Sequence, residues 1–255
     1  MLSVSEKKVD SEPVIMYSTG VLVGDSIFFV PKVASFIGVL HLLQVPCVVL
    51  LWNDDAVANW ENDGSVKYSA AVLVDNAVYF VTLSANNVGV LDVSNAQPQF
   101  AKLTLDGQLQ GPQKFSNGVH VNGRIYLVPF LSSHIGVLNI RSPNTIQYSS
   151  LVFENMPVSE TKWSGGVLAD NGKIYFAPYS LTDVGIFDPS TLLFTIAPSR
   201  YGILSVDRMN FGGGILGANG KIHFPPYLLS EMHEFDYPQP NVITTGNIFC
   251  HECGF

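Results

Sequence analysis

Charge is what this chain has least of. Only 13% of its 255 residues are Asp, Glu, Lys or Arg, against about a quarter in a typical globular domain. The 13 basic side chains are outnumbered by 21 acidic ones, for a net charge of −8. No cluster of Lys or Arg appears, so the electrostatic footprint of a nucleic-acid-binding protein is missing. Cysteine is scarce and odd in number, three in all. With no signal-type apolar core in Met1–Asp10, that pattern predicts reduced thiols in an intracellular, cytoplasmic protein. Long stretches with helical apolar spacing are absent too, while 22 glycines and 15 prolines punctuate the chain throughout.

The motifs of familiar chemistry are also missing. There is no Gly-x-Ser-x-Gly elbow, Walker loop, Rossmann glycine pattern or His-Glu-x-x-His. Histidines 41, 120, 134, 223, 233 and 251 do not pair at metal-ligand spacing. Cys250-His-Glu-Cys253 gathers two thiols and an imidazole, but zinc wants four ligands, and Cys47 is the only other thiol. The acidic segment Asn53–Gly64 lacks the ordered Asp positions and closing Glu of a calcium loop and reads as solvated. No metal and no cofactor is expected. One uncharged stretch, Val33–Trp52, has the length of a membrane span, yet contains Gly38, His41, Gln44 and Pro46. It is read as strand, so no membrane span is expected.

What the sequence does have is one sentence written five times. The clearest copy runs from Trp163 to Thr191: an apolar strand, an Asn-Gly turn, a second apolar strand, a short polar loop, a third strand and an Asp-Pro turn. Its second strand begins at Ile27, Val78, Ile125, Ile174 and Ile222, with successive spacings of 51, 47, 49 and 48 residues. Gly38, Gly89, Gly136 and Gly185 lie eleven residues further on and open the third strand, with His233 in the fifth copy. An aromatic residue introduces each first strand: Tyr17, Tyr68, Phe115, Trp163 and Phe211. A fixed period of about 40 to 50 residues with several strands per copy points to propeller blades. The second strand is apolar almost throughout, so both of its faces must be covered, as they are between neighbouring blades. A closed ring would also remove the ends that a solenoid has to cap.

Asn171-Gly-Lys-Ile-Tyr-Phe-Ala-Pro-Tyr-Ser180, followed by Val184-Gly-Ile-Phe-Asp-Pro-Ser-Thr191, resembles the repeats of kelch-like or NHL-like β-propellers. The resemblance extends over roughly residues 17 to 245 and implies an all-β, five-bladed β-propeller of four-stranded antiparallel blades. The Gly-His and Trp-Asp pairs of WD40 blades are absent, as are the spaced glycines and aromatics of true kelch repeats. A five-bladed count also resembles the five-bladed lectin propellers, without their specific motifs. The chain is read as one domain over residues 1–255, with blades at about 17–53, 68–105, 115–153, 163–197 and 211–250. Residues 1–16 are read as a tail or a closing strand.

Such a fold hosts many functions, so function has to be read from the site. Topology should bring the repeated aromatics Tyr17, Tyr68, Phe115, Trp163 and Phe211 to one mouth, beside the loops between second and third strands. Those loops carry a small polar residue in every copy: Ser35, Asn86, Ser133, Thr182 and Ser230. The next residue varies, and Asn87, His134, Asp183 and Glu231 are the candidates for specificity. The aromatics have two readings, platforms for a ligand or packing wedges between blades. The leading expectation is a non-catalytic scaffold that binds a protein or peptide through the mouth or through the apolar rim strand Cys47–Trp52. The alternative is a multivalent carbohydrate-binding propeller. A weaker one is a lyase or hydrolase using His134 with Asp183 or Glu231.

Overall fold

The fold follows from how the second strand of each repeat divides its two faces. Successive side chains of a strand point to opposite sides of its sheet. In the second repeat, Val78 and Phe80 join a buried cluster with Phe28, Val30, Ile37 and Val39 of the first. Between them, Tyr79 and Val81 join Phe115, Ile125 and Leu127 of the third. The division recurs one repeat later, where Tyr126 and Val128 share a cluster with Trp163, Ile174 and Phe176. It recurs again where Tyr175 and Ala177 meet Phe211, Ile222 and Phe224. An apolar strand of this kind is needed wherever one sheet is sandwiched between two others.

The computed structural model describes residues 16–34, 36–43, 49–52, 66–95, 98–104, 111–142, 145–158, 161–198, 209–229 and 232–238. The chain is a five-bladed β-propeller, all-β, with each blade a small antiparallel sheet. Blade 1 contains β1 (Tyr17–Val23), β2 (Ser26–Pro31), β3 (Ile37–His41) and β4 (Val49–Trp52). Blade 2 contains β5 (Tyr68–Val74), β6 (Ala77–Thr82), β7 (Asn87–Asp92) and β8 (Gln99–Thr104). Blade 3 contains β9 (Phe115–Val121), β10 (Arg124–Pro129), β11 (His134–Ser142) and β12 (Thr145–Val152). Blade 4 contains β13 (Trp163–Leu168), β14 (Ile174–Pro178), β15 (Asp183–Asp188) and β16 (Leu193–Pro198). Blade 5 shows three strands among the described residues: β17 (Ile215–Leu216), β18 (Ile222–Phe224) and β19 (His233–Phe235). The expected fourth strand of that blade falls outside the described residues, as do residues 1–15, the Asn53–Gly64 loop and Cys250–Cys253. The uncharged stretch after Val33 contributes β3 and β4, and among the described residues no helix is long and apolar enough to cross a membrane.

Two details explain the recurring residues. The glycine of the third strand lies beneath the repeated aromatic in blades 1, 3 and 4: a Cβ on Gly185 would sit 2.9 Å from the Phe176 ring and 3.0 Å from the Trp163 indole. On Gly136 it would sit 2.9 Å from both Leu127 and Phe115. The Asn-Gly turns then differ between blades. Asn122 and Gly123 both take positive φ, 48° and 73°, as a two-residue type I′ hairpin turn requires. In blade 4 only Gly172 does (φ 77°). There Ala169 bonds Lys173 across a three-residue link, and Asn171 Oδ1 accepts the Lys173 N–H at 3.1 Å.

Serine hydroxyls pin consecutive blades together. Ser18 Oγ donates to the carbonyl of Tyr68 at 3.3 Å, Ser69 to that of Phe115 at 2.9 Å, and Ser116 to that of Trp163 at 2.7 Å. Each serine directly follows the aromatic of its own blade, so one dipeptide supplies both a core ring and a link to the next blade.

Candidate functional site

Antiparallel pairing sets the geometry of the mouth. The start of each first strand lies beside the end of the second: Tyr17 with Pro31, Tyr68 with Thr82, Phe115 with Pro129, Trp163 with Pro178, and Phe211 with Pro226. A belt of main-chain hydrogen bonds runs along this edge. Within each blade the residue after the one paired with the aromatic donates its N–H to the residue before the aromatic. The pairs are Lys32 to Met16, Leu83 to Lys67, Phe130 to Lys114, Tyr179 to Lys162 and Tyr227 to Asn210, at 2.8–2.9 Å. Between blades the same residues accept in turn: Lys67 N–H bonds Lys32, Lys114 bonds Leu83, Lys162 bonds Phe130 and Asn210 bonds Tyr179, at 2.7–3.0 Å. Through this belt the loops of five sheets become one rigid rim.

The repeated aromatics stand just below that rim. Tyr68, Phe115, Trp163 and Phe211 are buried, and Tyr17 is half-buried. The Trp163 ring meets Phe176 at 5.4 Å and Phe194 at 5.7 Å, and its indole N–H donates to the Asp183 carbonyl at 3.3 Å. Phe211 lies 5.4 Å from Phe224 and 5.3 Å from the His233 ring, centroid to centroid. Burial pushes the Tyr17 phenol up to about 12 and raises that of Tyr68 further. The buried rings pair with aromatics of their own blades and belong to buried clusters shared with the preceding blade.

The variable positions lie higher and are half-buried. Asn87 Oδ1 accepts the Tyr68 hydroxyl at 2.5 Å. Asp183 Oδ1 accepts from the Thr182 hydroxyl at 3.3 Å. His134 Nε2 lies 2.7 Å from the Tyr148 hydroxyl, and its ring stands edge-on to Phe115 at 5.8 Å. Each of these three is therefore held by partners within its own blade. Glu231, Ser35 and Ser230 lie outside the described residues.

Two sets of mouth residues were not anticipated from the sequence. The first is a lysine directly before the aromatic in three blades, Lys67, Lys114 and Lys162, all buried. Lys162 Nζ donates to the Phe130 and Leu131 carbonyls of the preceding blade at 3.4 and 3.2 Å, and Asn210 Nδ2 does likewise to Leu181 at 2.9 Å. Lys67 Nζ lies 3.5 Å from the Val33 and Ala34 carbonyls. These three cap the loop of the blade before them. Lys114 departs from the pattern and bonds the Gly111 carbonyl of its own segment at 2.7 Å. Lys114 lines a cleft of about 310 Å³ together with Gly111, Pro112, Leu131, Ser132, Ser133, His134 and Tyr148. Burial brings the Lys114 ammonium down to about 8, lowers the His134 imidazolium, and pushes the Tyr148 phenol up to about 12. The signal was in the sequence, as the Lys-aromatic dipeptides 67–68, 114–115 and 162–163.

The second set is an aromatic arc on the belt itself. Phe130 lies 5.2 Å from Tyr179, which lies 6.0 Å from Tyr227, both pairs edge-on, and Tyr227 is 57% exposed. The arc crosses blades 3 to 5 and begins beside the Lys114 cleft, since Phe130 bonds the Lys114 carbonyl.

No protein-family model matches the chain, nor does any curated protein sequence. Solved structures do. The chain is similar to virginiamycin B lyase from Staphylococcus aureus at 14% identity, covering 87% of this chain and 70% of that one, with a TM-score of 0.57. A streptogramin B lyase structure matches at 16% identity over 89% of this chain and 72% of that one, with a TM-score of 0.58. The β-propeller domain of Myceliophteria thermophila Cps50 (Swd1) matches at 8% identity over 84% and 67%, with a TM-score of 0.56. At such identities the likeness shows a shared fold. The names span two lyases and the Cps50 (Swd1) β-propeller domain, and a shared fold does not select among functions.

Proposed function

We propose that this chain is a non-catalytic β-propeller that binds a segment of another protein at its mouth, with a carboxylate of that segment seated on Lys114. One observation carries the reading: Lys114, a residue only 5% exposed, lines the cleft, and its ammonium has a main-chain carbonyl, not a carboxylate, as its described partner. The described ion pairs belong to Lys173, Lys221 and His223. A buried cation is costly until it is paired. A ligand carboxylate would supply the pair, with the Ser132, Ser133, His134 and Tyr148 polar groups around it and the Phe130–Tyr179–Tyr227 arc for its apolar part. Asn87, His134 and Asp183, fixed within their own blades, then act as specificity groups on a rigid rim.

Calorimetric titration with short peptides bearing a free C-terminal carboxylate, or the same peptides amidated, tests this. Binding by the acids, at least tenfold weaker for the amides and for Lys114→Met, is expected. Equal binding by acids and amides would reject the carboxylate assignment.

The exposed Tyr227 end of the aromatic arc favours a second reading, in which a sugar stacks on these rings. A glycan array separates the two. Sugar binding lost in Tyr227→Ala but kept in Lys114→Met selects the second.

A further inference from the structure

Blade 1 lacks on one side what every other described blade has. The fourth residue of the inner strand is small in each blade, and beneath it lies the preceding blade. A Cβ on Gly118 would meet Val72 and Val81 of blade 2, one on Gly166 would meet Val128 and Val119 of blade 3, and one on Gly214 would meet Val167 of blade 4. On Gly20 its three nearest atoms would belong to Ile27 and Phe29 of its own sheet. The inner strand of blade 1 is correspondingly exposed along Ser18–Gly20, and Leu22 is 57% exposed. The main-chain belt likewise runs from Met16 to Tyr227, and among the described residues no bond joins its two ends.

The last blade does not present the missing complement. The positions that put Tyr79, Tyr126 and Tyr175, and Val90, Val137 and Ile186, onto a following blade hold His223 and Glu234 in blade 5. Both are polar and Glu234 carries charge: Lys221 Nζ lies 3.0 Å from Glu234, and His223 Nδ1 lies 3.6 Å from it. Polar groups on an outer face are what a terminal repeat presents to water. The backward face of blade 1 is different. Tyr17, Gly20, Leu22, Ile27, Phe29 and Leu40 include no formal charge. The two faces are not partners, so the ring closure expected from the sequence is not formed between them among the described residues.

We propose that the backward face of blade 1 is a docking surface for a further propeller blade carried by a partner. The described junctions specify its chemistry: an antiparallel sheet whose residues facing Gly20 are valines, with an aromatic beside Leu40. By the pattern of Ser18, Ser69 and Ser116, a hydroxyl on its inner strand donates to the Tyr17 carbonyl. The chain spans 70% and 72% of two lyase structures while matching most of its own length. This proposal is independent of the ligand at the mouth.

The test compares the full chain with the same chain carrying a duplicate of residues 111–158 fused ahead of Met1, so that a blade 3 copy can reach the face. In the unfused chain, light scattering is expected to show a monomer that binds a hydrophobic dye, with amides of 18–23 exchanging at least tenfold faster than those of 69–74. The fusion is expected to reduce dye binding and raise Tm by about 5 °C or more. Leu22→Asp should be silent in the unfused chain and should abolish the gain in the fusion. A folded fusion with no gain in Tm overturns the proposal. Equal exchange of 18–23 and 69–74 in the unfused monomer also overturns it, showing the face already covered by this chain, and decides the matter even if the fusion does not fold. A dimer that Leu22→Asp dissociates assigns the face to a second copy and likewise overturns it.

Discussion

The Ser116 hydroxyl donates to the carbonyl of Trp163 at 2.7 Å, across 47 residues of sequence and the junction between blades 3 and 4. It is the shortest of three equivalent links, and Trp163 is itself wholly buried in that junction. A core ring and a blade-to-blade hydrogen bond thus meet at one residue. Ser116→Ala should cost about 1 kcal/mol, the net worth of one such bond. Ser164→Ala should cost less, because that hydroxyl lies 3.5 Å from Ala177 within its own sheet. Urea unfolding of the two variants side by side measures the difference, and equal losses would refute the link.

Gly185 has no room for a methyl group. Its Cβ would lie 2.9 Å from Phe176 and 3.0 Å from Trp163, both rings packed on every side. Gly185→Ala should therefore destabilise by roughly 1–3 kcal/mol, as overpacking does. Adding Trp163→Phe, which shortens the offending ring, should cost less than the two single changes together. A double-mutant cycle from chemical unfolding gives that coupling.

Stability should rise with pH between about 8 and 10.5 through Lys114. Its ammonium is lowered from 10.5 to about 8 in the folded chain, so the unfolded chain binds more protons across that window. Where the unfolded state holds more protons, raising pH favours the fold. Lys162 is lowered by burial as well and adds in the same direction. Lys114→Met should flatten part of this slope, as followed by Tm against pH. Carboxylate binding at the mouth should move oppositely, weakening above pH 8 as the ammonium is lost.

On the acid side, His134 is lowered by burial from 6.5. The fold prefers it neutral, so stability should fall as pH drops through 6.5 toward its lowered value. His134→Gln should reduce that limb, and an imidazole titration by NMR would show protonation of His134 only below the range of an exposed histidine.

The sequence carried the propeller because its signal is local and repeated. The 47-to-51-residue period, the apolar second strand and the Gly-aromatic pair each describe one blade, and each blade is built nearly alike. The rim was harder to read. Tyr227 and Phe130 occupy the same repeat position as Lys32 and Leu83, so no constant residue type marked the arc. The lysines were legible as dipeptides, but nothing local distinguishes Lys114 from Lys162. The loop each one reaches decides whether it caps a carbonyl or lines a cleft.

By itself, then, the sequence determined that sheets of this chain must stack and how many there are, since a strand apolar on both faces must be covered on both, and that strand recurs five times. Tertiary structure alone decided which aromatics are core and which lie on the rim, which lysine lines a cleft, and that the backward face of Leu22 meets no blade among the described residues. Those outcomes depend on side chains roughly one blade-length away in sequence. Burial belongs to the pair of surfaces that meet, and only the folded arrangement says which surfaces do.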